Sequence, residues 1–451
     1  MSGRAFGIGI DFGTTNSAIA WAGGSGQAEV AKFFLVGEPI STFRSILYFE
    51  AECAWERGRP VALVGPEAIE GYLENDGEGR LMQSLKSFLA SRLVSATSVF
   101  GYDYPFENLI SRILEGLWER AEPQLRAAGW GGVPGVSGSG LAGKPPKIVV
   151  GRPVRFVGSQ DDAGDAYAEG RLRKAFANAG FVDVEFVLEP VAAALHYESG
   201  LTADETVLVA DFGGGTSDFS LLRVGPSYSG SPADRGRVLG ARGVGLAGDA
   251  LDAKIVQQVV APALGQGSEY RTMMGKVMEI PRAIFEKLKR WNELSILKTR
   301  QNMDMLHGYL QTAVEPDKIA ALIHLVEHNL GYRLYRAIEA TKVALSTQES
   351  AILEFEDEGN AILAKVTRAD FVGWIAPELD IIGGCVDELM AETNMTVDEV
   401  DTVFLTGGTG QVPAVRKLFE DRFGPDKVRT GQFLTSIASG LALHARAIDG
   451  E

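Results

Sequence analysis

Apolar residues near the start of the chain alternate on both sides of a short polar stretch. The segment "FGIGIDFGTTNSAIAWAGG" (6–24) therefore predicts a β-hairpin, with glycine and threonine in its turn. A second segment, "ETVLVADFGGGTSDFSLLRV" (205–224), has the same pattern and predicts a second hairpin. Both turns begin with Asp-Phe-Gly, at Asp11 and at Asp211.

Other periodicities predict strands and helices around these hairpins. The segments "AGDAYAEGRLRKAFANAG" (163–180) and "YRLYRAIEATKVALS" (332–346) have helical spacing, and the first ends in glycine, a common helix stop. Residues 268–346 are mostly helical in pattern. The remaining predicted elements are strands at 145–156 and 182–190, a helix at 191–200, a strand, Gly-Gly turn and helix at 400–424, and an amphipathic helix at 436–448.

The hairpin and its neighbouring elements recur about 200 residues later, which predicts a duplicated α/β domain. The alternative is two unrelated hairpins that share Asp-Phe-Gly by chance. The repeated apolar flanks, glycine and threonine favour duplication. The Gly/Pro-rich stretch 129–147 predicts a surface loop, because β-rich sequence resumes directly after it.

Composition then limits the class of protein. The 451 residues exceed one ordinary core, so we expect two or more domains. The formal net charge of −16 does not indicate a basic surface for nucleic acid, so nucleic acid is not expected as a partner. The two cysteines are typical of a reducing cytosol, and a strand pattern begins too early to leave room for a signal peptide. No apolar run approaches ~18 residues, so we expect no membrane association and a cytoplasmic protein.

The two turns have the residues that bind phosphate and magnesium. Glycine lets the backbone approach a ligand, and consecutive N–H groups form a concave anion site. Threonine hydroxyls add donors, and a strand-end aspartate can hold a magnesium-bound water, since magnesium keeps most of its waters. Two such turns facing each other would hold a polyphosphate between them. A single glycine-rich turn is more often only a turn, so the prediction depends on the pair.

Other phosphate-binding folds do not fit the sequence. No His-Arg-Asp occurs, and no Val-Ala-Ile-Lys precedes either Asp-Phe-Gly, which excludes a protein kinase. No Gly-x4-Gly-Lys-[Ser/Thr] occurs, which excludes a P-loop. A Rossmann turn needs a helix after its glycines, whereas here the strand-like "DFSLLRV" follows.

Together the motifs resemble the ATPase domain of the Hsp70/actin/sugar-kinase superfamily, and within it Hsp70. The resemblance covers nearly the whole chain in the right order. Shorter matches at "KSFL" (86–89), "GRPVRF" (151–156) and "YRAIEATKVALS" (335–346) resemble the truncated bacterial YegD-like group. The five ordered motifs are "GIDFGTTNS" (9–17), "EPVAAALHYESG" (189–200), "VLVADFGGGTSDFSLL" (207–222), "VFLTGGTGQVPAVRKLF" (403–419) and "SIASGLALHA" (436–445).

The resemblance implies Mg²⁺ and ATP or ADP as cofactors, and it implies roles for individual residues. Asp11, Asp211 and Asp218 would serve the hydrated magnesium. Lys86 would orient the attacking water and stabilise charge on the transferred phosphoryl group, with Glu189, Asp211 and Thr216 as further catalytic residues. Without the family frame, Lys86 reads as a solvated helix lysine and Glu189 as a strand-end carboxylate. The nucleotide would bind Gly13, Thr14, Thr15, Asn16, Gly213, Gly214, Gly215, Thr216, Gly248, Glu339, Lys342, Ser346, Gly407, Gly408 and Thr409.

The resemblance also implies an architecture of two actin-like, ribonuclease H-like lobes around a nucleotide cleft. Lobe I would span 1–190, with its core at 1–30 and 145–190 and an inserted subdomain at 31–144. Lobe II would span 191–451, with its core at 191–230 and 347–435, a helical insertion at 231–346 and a helix at 436–448 returning to lobe I. Because the sequence stops at Glu451, no Hsp70 peptide-binding domain is expected.

Two departures affect the adenine. Gln411 and Val343 stand where Hsp70 proteins have arginine near the base. A cation stacked on a flat ring contributes roughly 0.5–2 kcal/mol, so we expect weaker adenine binding than in Hsp70.

The resulting hypothesis is a weak ATPase that acts as a nucleotide-dependent switch and is read by an unidentified protein partner. Three alternatives stay open at this point. They are a sugar or carboxylate kinase of the same superfamily, a filament-forming relative of actin or of bacterial shape proteins, and a nucleotide sensor that does not hydrolyse ATP.

Overall fold

The computed structural model describes residues 6–23, 27–35, 37–56, 58–75, 78–130, 147–198, 201–228, 238–272, 274–289, 297–357, 360–430 and 435–449. The chain divides into two compact units. The larger unit consists of residues 1–71, 79–247 and 381–451. The smaller unit consists of residues 72–78 and 248–380. Most of the predicted loop at 129–147 lies outside the described residues.

The N-terminal sheet of the larger unit is built around the first hairpin. Strand Gly7–Phe12 pairs antiparallel with Asn16–Ala22 and parallel with Lys147–Arg152. Gly7, Ile8, Gly9 and Ile10 are all buried, so both faces of this strand are covered, as in the centre of an α/β sheet. The described residues complete the sheet with Ala28–Val30 and Phe43–Arg44, both antiparallel to Asn16–Ala22, and with Val184–Leu188, parallel to Lys147–Arg152.

The C-terminal sheet of the larger unit repeats this order of strands. Strand Glu205–Phe212 pairs antiparallel with Ser217–Val224 and parallel with Thr402–Thr406. Val238–Val244 lies antiparallel beside the hairpin, and Val428–Thr430 lies parallel beside Thr402–Thr406. The predicted α/β class is confirmed. The matching strand orders support duplication and two lobes, which stay predictions.

Short strands and helices surround the two sheets. The other described strands of the larger unit are Phe33–Leu35, Glu38–Ile40, Ile46–Phe49, Trp55–Glu56, Arg59–Pro60, Leu63–Val64, Arg80–Gln83, Ala96–Val99 and Tyr102–Pro105. Its helices are Leu85–Phe88, Phe106–Ala127, Asp162–Asn178, Glu189–Glu198, Val397–Glu399, Gly408–Gln411, Pro413–Phe423 and Ser436–Asp449. The helices Pro66–Glu74 and Arg368–Glu392 contribute residues to both units.

The smaller unit is mostly helical. Its longest described helix, Gly331–Thr347, packs against the hairpin formed by Ser350–Asp357 and Asn360–Thr367. A short hairpin joins Glu269–Arg271 to Val277–Glu279. The remaining helical segments are Gly248–Ile255, Val256–Val260, Ala261–Ala263, Arg282–Glu286, Lys287–Lys289, Arg300–Leu310 and Pro316–Glu327.

The C-terminal helix Ser436–Asp449 packs on the N-terminal sheet through glycine and alanine. A β-carbon on Gly9 would overlap the backbone of this helix at Ala438. A β-carbon on Gly440 would overlap the carbonyl of Ala192, in the helix Glu189–Glu198. The backbones therefore approach too closely for any side chain. This contact places the N-terminus of Glu189–Glu198 beside the first hairpin.

Replacing Gly440 with alanine is expected to lower the free energy of unfolding by about 3 kcal/mol, because overpacking against a rigid backbone carbonyl forces the two helices apart. The matched control is Gly170→Ala in the helix Asp162–Asn178, where a β-carbon meets nothing within 4 Å. That change should stabilise the protein by about 0.5–1 kcal/mol, because alanine favours the helix. Urea denaturation of both variants measures the difference. A Gly440→Ala protein as stable as wild type would contradict this packing.

The structure differs from the predicted boundaries at two places. The first connecting helix begins at Glu189 rather than at 191, because Pro190 suits the first helical turn and a carboxylate there is stabilised by the helix dipole. The strand Val238–Val244 belongs to the C-terminal sheet, although the helical insertion was expected to begin at 231. The smaller unit begins instead at Gly248 in this part of the chain.

Candidate functional site

The turn of the first hairpin is held by two serines. Ser45 Oγ lies 2.8 Å from the carbonyl oxygen of Gly13, to which it donates, and 2.8 Å from Ser17 Oγ. The backbone N–H of Ser45 donates to the carbonyl of Thr15 at 2.9 Å. Thr14, Thr15 and Asn16 stay partly exposed, so these bonds fix the turn while leaving its outer surface accessible.

The turn of the second hairpin is closed by its own backbone. The N–H of Gly213 donates to the carbonyl of Thr216 at 2.9 Å, and Ser217 Oγ donates to the carbonyl of Leu246 at 2.6 Å. Gly213 is exposed, and Gly214, Gly215 and Thr216 are partly exposed. A β-carbon on Gly215 would meet nothing within 4 Å, so the backbone here has free space beside it.

A buried ion pair lies beside the ends of the hairpins. Lys86 Nζ is 2.7 Å from Glu189 Oε1, and the side chains are 7% and 11% exposed. Lys86 belongs to the short helix Leu85–Phe88, and Glu189 starts its own helix. Burial alone lowers the pKa of the Lys86 ammonium, but Glu189 and Asp11 outweigh that effect and raise the pKa above its ordinary value. Lys86 is therefore a charged residue inside the protein.

The charges of Lys86 and Glu189 shift the pKa values of three aspartates. Burial, Glu189 and Asp211 together raise the pKa of Asp11 well above its ordinary value, although Lys86 opposes them. Burial and Glu189 raise the pKa of Asp211 to about 8 and that of Asp218 to about 7. Four carboxyl groups thus interact electrostatically with one ammonium. The aspartates that the sequence assigned to the two separate turns are close enough to influence each other's ionisation.

The cluster has the charge and the donor atoms for a cation. Within the described part of the chain, Asp218 Oδ1 is buried and has no hydrogen-bond partner. A buried carboxylate oxygen without a partner is costly, and a cation or its bound water would satisfy it. Oxygen donors suit Mg²⁺, which keeps several waters. The described residues contain no group of three or more His, Cys, Asp or Glu side chains arranged to hold a metal ion directly.

The predicted glycines after Thr406 lie next to the second hairpin. Gly407 has φ +82, and a β-carbon there would overlap the carbonyl oxygen of Phe212, so only glycine suits this position. Gly408 begins the short helix Gly408–Gln411, and Thr409 is buried within it. The strand pairing places Thr406 opposite Asp211, and the two side chains are hydrogen-bonded. This bond lowers the pKa of Asp211 and partly offsets burial.

The other predicted nucleotide residues belong to the smaller unit. Lys342 Nζ lies 2.8 Å from Asp252 Oδ1, and burial raises the pKa of Asp252 to about 6 despite this pairing. Ser346 Oγ is 3.4 Å from the carbonyl of Lys342, one helical turn away. Glu339 contributes a further negative charge near Asp252, and Gly248 starts the helix Gly248–Ile255. Lys342 thus already has a carboxylate partner within its own unit.

Sequence reasoning missed three polar residues that support the site. Thr406 stands at a strand end, as Asp11 and Asp211 do, and this position could have indicated it. Ser45 precedes the apolar run "ILYF" and has no local signal of its role. Asp252 lies in a helix with ordinary amphipathic spacing, so only its burial against Lys342 reveals it.

Comparison with known proteins agrees with the ordered motifs. Residues 318–451 match the family model described as Hsp70 protein. The chain is similar to the Hsp70 chaperones. The chaperone protein DnaK of Thermosipho africanus is 25% identical over 447 residues, which cover 98% of this chain and 59% of that protein. The DnaK of Thermus thermophilus is 27% identical over 290 residues, covering 63% of this chain and 39% of that protein.

The similarity to DnaK extends along nearly the whole of this chain but along only part of each relative. The DnaK of Trichormus variabilis is 24% identical over 458 residues, covering 98% of this chain and 55% of that protein. The chain thus spans less than two thirds of the length of these relatives. The predicted resemblance to Hsp70 is confirmed, and the YegD-like group stays a prediction. In the described residues, no helix combines the length and the apolar character of a membrane span.

Proposed function

We propose that the chain binds Mg-ATP at the two hairpin turns and hydrolyses it slowly, as an Hsp70-like nucleotide switch. The observation that carries the proposal is the buried Lys86–Glu189 pair among three aspartates, beside two open turns. This arrangement combines phosphate donors, a cation site and an ammonium that stays charged. The similarity to DnaK agrees with it.

In this proposal the two turns bind the phosphates and the aspartates serve the magnesium ion. The backbone N–H groups of the turns and the hydroxyls of Thr14, Thr15 and Thr216 donate to phosphate oxygens. Asp11, Asp211 and Asp218 would hold magnesium, which when bound would supply positive charge that offsets the charge of the phosphates.

Lys86 acts on the hydrolytic water. Its ammonium donates to the water or to the γ-phosphate and stabilises charge that grows as the phosphoryl group leaves. Glu189 holds this ammonium in place at 2.7 Å and accepts one of its hydrogen bonds. Because the pair is buried, its electrostatic effect on the phosphate is stronger than it would be in water.

The nucleotide state would set the conformation that a protein partner reads. We propose a cytoplasmic protein with the predicted two-lobe organisation, and nucleotide contacts from Gly407, Gly408 and Thr409. Gly248, Glu339, Lys342 and Ser346 stay predictions for contacts with adenosine. Calorimetric titration with ATP, with and without Mg²⁺, tests binding, and release of phosphate tests hydrolysis. Phosphorylation of a sugar or a carboxylate, or sedimenting polymers formed with ATP, would contradict the proposal in favour of the alternatives.

Replacing Gln411 with arginine is expected to tighten ATP binding about two- to thirtyfold, because a guanidinium stacked on adenine contributes roughly 0.5–2 kcal/mol. Gln411 is exposed, so the longer side chain needs no repacking. Affinity for tripolyphosphate should not change, because that ligand has no base. Gln311→Arg, at another exposed glutamine, is the control. Sub-micromolar ATP binding by the unaltered protein would contradict the expected weak contact with adenine. An unchanged ATP affinity in Gln411→Arg would contradict it as well.

A further inference from the structure

The segment that contains Lys86 has little regular structure of its own. Lys86 lies in a single short 3₁₀ turn, Leu85–Phe88, preceded by Ser84 in the left-handed region at φ 58. Residues 89–95 after it form neither a helix nor a strand. Short 3₁₀ turns have poor hydrogen-bond geometry and contribute little stability by themselves. The position of Lys86 must therefore depend on contacts from elsewhere in the fold.

Those contacts come from a buried arginine on another helix. Arg171, in the helix Asp162–Asn178, is 6% exposed. Its Nη1 donates to the carbonyl oxygens of Phe88, Leu89 and Ser91, at 2.9, 3.1 and 3.2 Å. One guanidinium group thus binds three carbonyls that lie two to five residues after Lys86 in the chain. The carbonyl of Phe88 also accepts from the N–H of Ser91, so the arginine adds to the hydrogen bonds that the segment makes by itself.

A carboxylate fixes the arginine in turn. Arg171 Nε lies 3.0 Å from Glu107 Oε1, and Nη2 lies 3.4 Å from Glu107 Oε2, so the guanidinium is held on two sides. Glu107 is in the first turn of the long helix Phe106–Ala127. Phe106, its neighbour, stacks on Phe88 with ring centroids 4.6 Å apart and planes within 3°. The long helix therefore braces the same segment through an ion pair and a ring stack.

We propose that Arg171, oriented by Glu107, is a positioning residue for Lys86. It connects two helices of the larger unit to the segment that bears the ammonium, and it keeps Lys86 at its 2.7 Å contact with Glu189. This inference rests on the proposed function, because it assigns the arginine an effect on hydrolysis. A lysine at this position could not reproduce the effect, since a single ammonium lacks the planar fork that spans carbonyls and carboxylate together.

The test uses Arg171→Lys and Glu107→Gln in the full chain, with hydrolysis followed in a single turnover at saturating ATP. Displacing a catalytic group by about 1 Å costs up to about a hundredfold in rate, so we expect a fall of about ten- to a hundredfold. ATP affinity should be unchanged, because the phosphate-binding turns are intact. Phe176→Leu, on the same helix but in the aromatic core, is the control for lost stability and should leave the rate unchanged.

A double variant separates positioning from mere stability. In a Lys86→Met protein, Arg171→Lys should lower the rate no further, although it should still lower the melting temperature. Additive rate losses would overturn the proposal, and so would a folded Arg171→Lys protein with the wild-type rate. Should Arg171→Lys fail to fold, Glu107→Gln decides by the same criteria.

Hydrogen exchange tests the effect of Arg171 on the Lys86 segment without an activity assay. The amides of Ser87, Leu89 and Ser91 donate within the segment, at 3.0, 3.2 and 3.2 Å. We expect Arg171→Lys to speed their exchange about tenfold or more relative to Phe176→Leu. Unchanged exchange would overturn the role of Arg171. A wild-type protein without ATP hydrolysis would instead contradict the proposed function, while the exchange result would still stand for the contacts of Arg171.

Discussion

Replacing Lys86 with methionine is expected to lower the rate of ATP hydrolysis about 100- to 1,000-fold. Removing one charged donor from a preorganised site has an effect of this size on turnover. ATP should still bind, because the turns and the aspartates remain. The same change leaves Glu189 buried and unpaired, and breaking a buried pair costs about 3–5 kcal/mol. Single-turnover phosphate release and chemical denaturation measure the two effects.

The two effects separate in a double variant. Adding Glu189→Gln to Lys86→Met removes the unpaired charge, so stability should recover, whereas hydrolysis should stay low. Lys417→Met is the matched control, because Lys417 pairs with Asp421 on an exposed helix surface and surface pairs contribute about 1 kcal/mol or less. Equal hydrolysis rates in wild type and Lys86→Met would show that the catalytic assignment is wrong.

Stability without ligand is expected to fall as the pH rises from 5 to 8. Burial and Glu189 raise the pKa of Asp211 to about 8, whereas the unfolded chain has the ordinary value of 3.8. A carboxyl group whose folded pKa is raised binds its proton more tightly in the folded state. Its stabilisation is complete below the unfolded pKa and is lost as the pH rises through the folded one. The slope is about 1.4 kcal/mol per pH unit for such a group between its two pKa values.

Asp211→Asn isolates this contribution. Asparagine cannot ionise, so the free energy of unfolding of this variant should fall less steeply between pH 5 and 8 than that of wild type. Asp218, whose pKa is about 7, should keep part of the slope in the variant. Mg-ATP should flatten the wild-type curve, because a bound cation favours the ionised carboxylates. Parallel curves for wild type and Asp211→Asn would contradict the clustered carboxylates.

The two hairpins could be predicted from the sequence because their signal is local. Alternation of apolar residues, then Asp, Gly and Thr, defines a strand, its end and its turn within a dozen positions. The strand orders of the two sheets repeat, in agreement with the internal repeat around Asp11 and Asp211. The C-terminal helix was predictable from its amphipathic spacing. Its close contact through Gly440 was not, since a glycine within a helix pattern says nothing about its neighbour.

The ion pair between Lys86 and Glu189 could not be predicted from the local sequence pattern. Lys86 and Glu189 are 103 residues apart, and each has an ordinary local reading as an exposed lysine or a strand-end carboxylate. The resemblance to Hsp70 motifs assigned them, and the structure brings them within 2.7 Å. Ser45 and Arg171 had no motif at all. Their roles depend on burial and on long-range carbonyl contacts, which a single sequence does not encode in any periodicity.

A crystal structure of the full chain with Mg²⁺ and a non-hydrolysable ATP analogue would show most directly whether the two hairpin turns bind one nucleotide. We expect triphosphate oxygens within hydrogen-bond distance of backbone N–H groups in both turns, at Thr14, Thr15, Gly214 and Gly215. We also expect magnesium waters on Asp11 and Asp211. An analogue bound away from these turns, or contacting only one of them, would contradict the claim that the two hairpins form one nucleotide site.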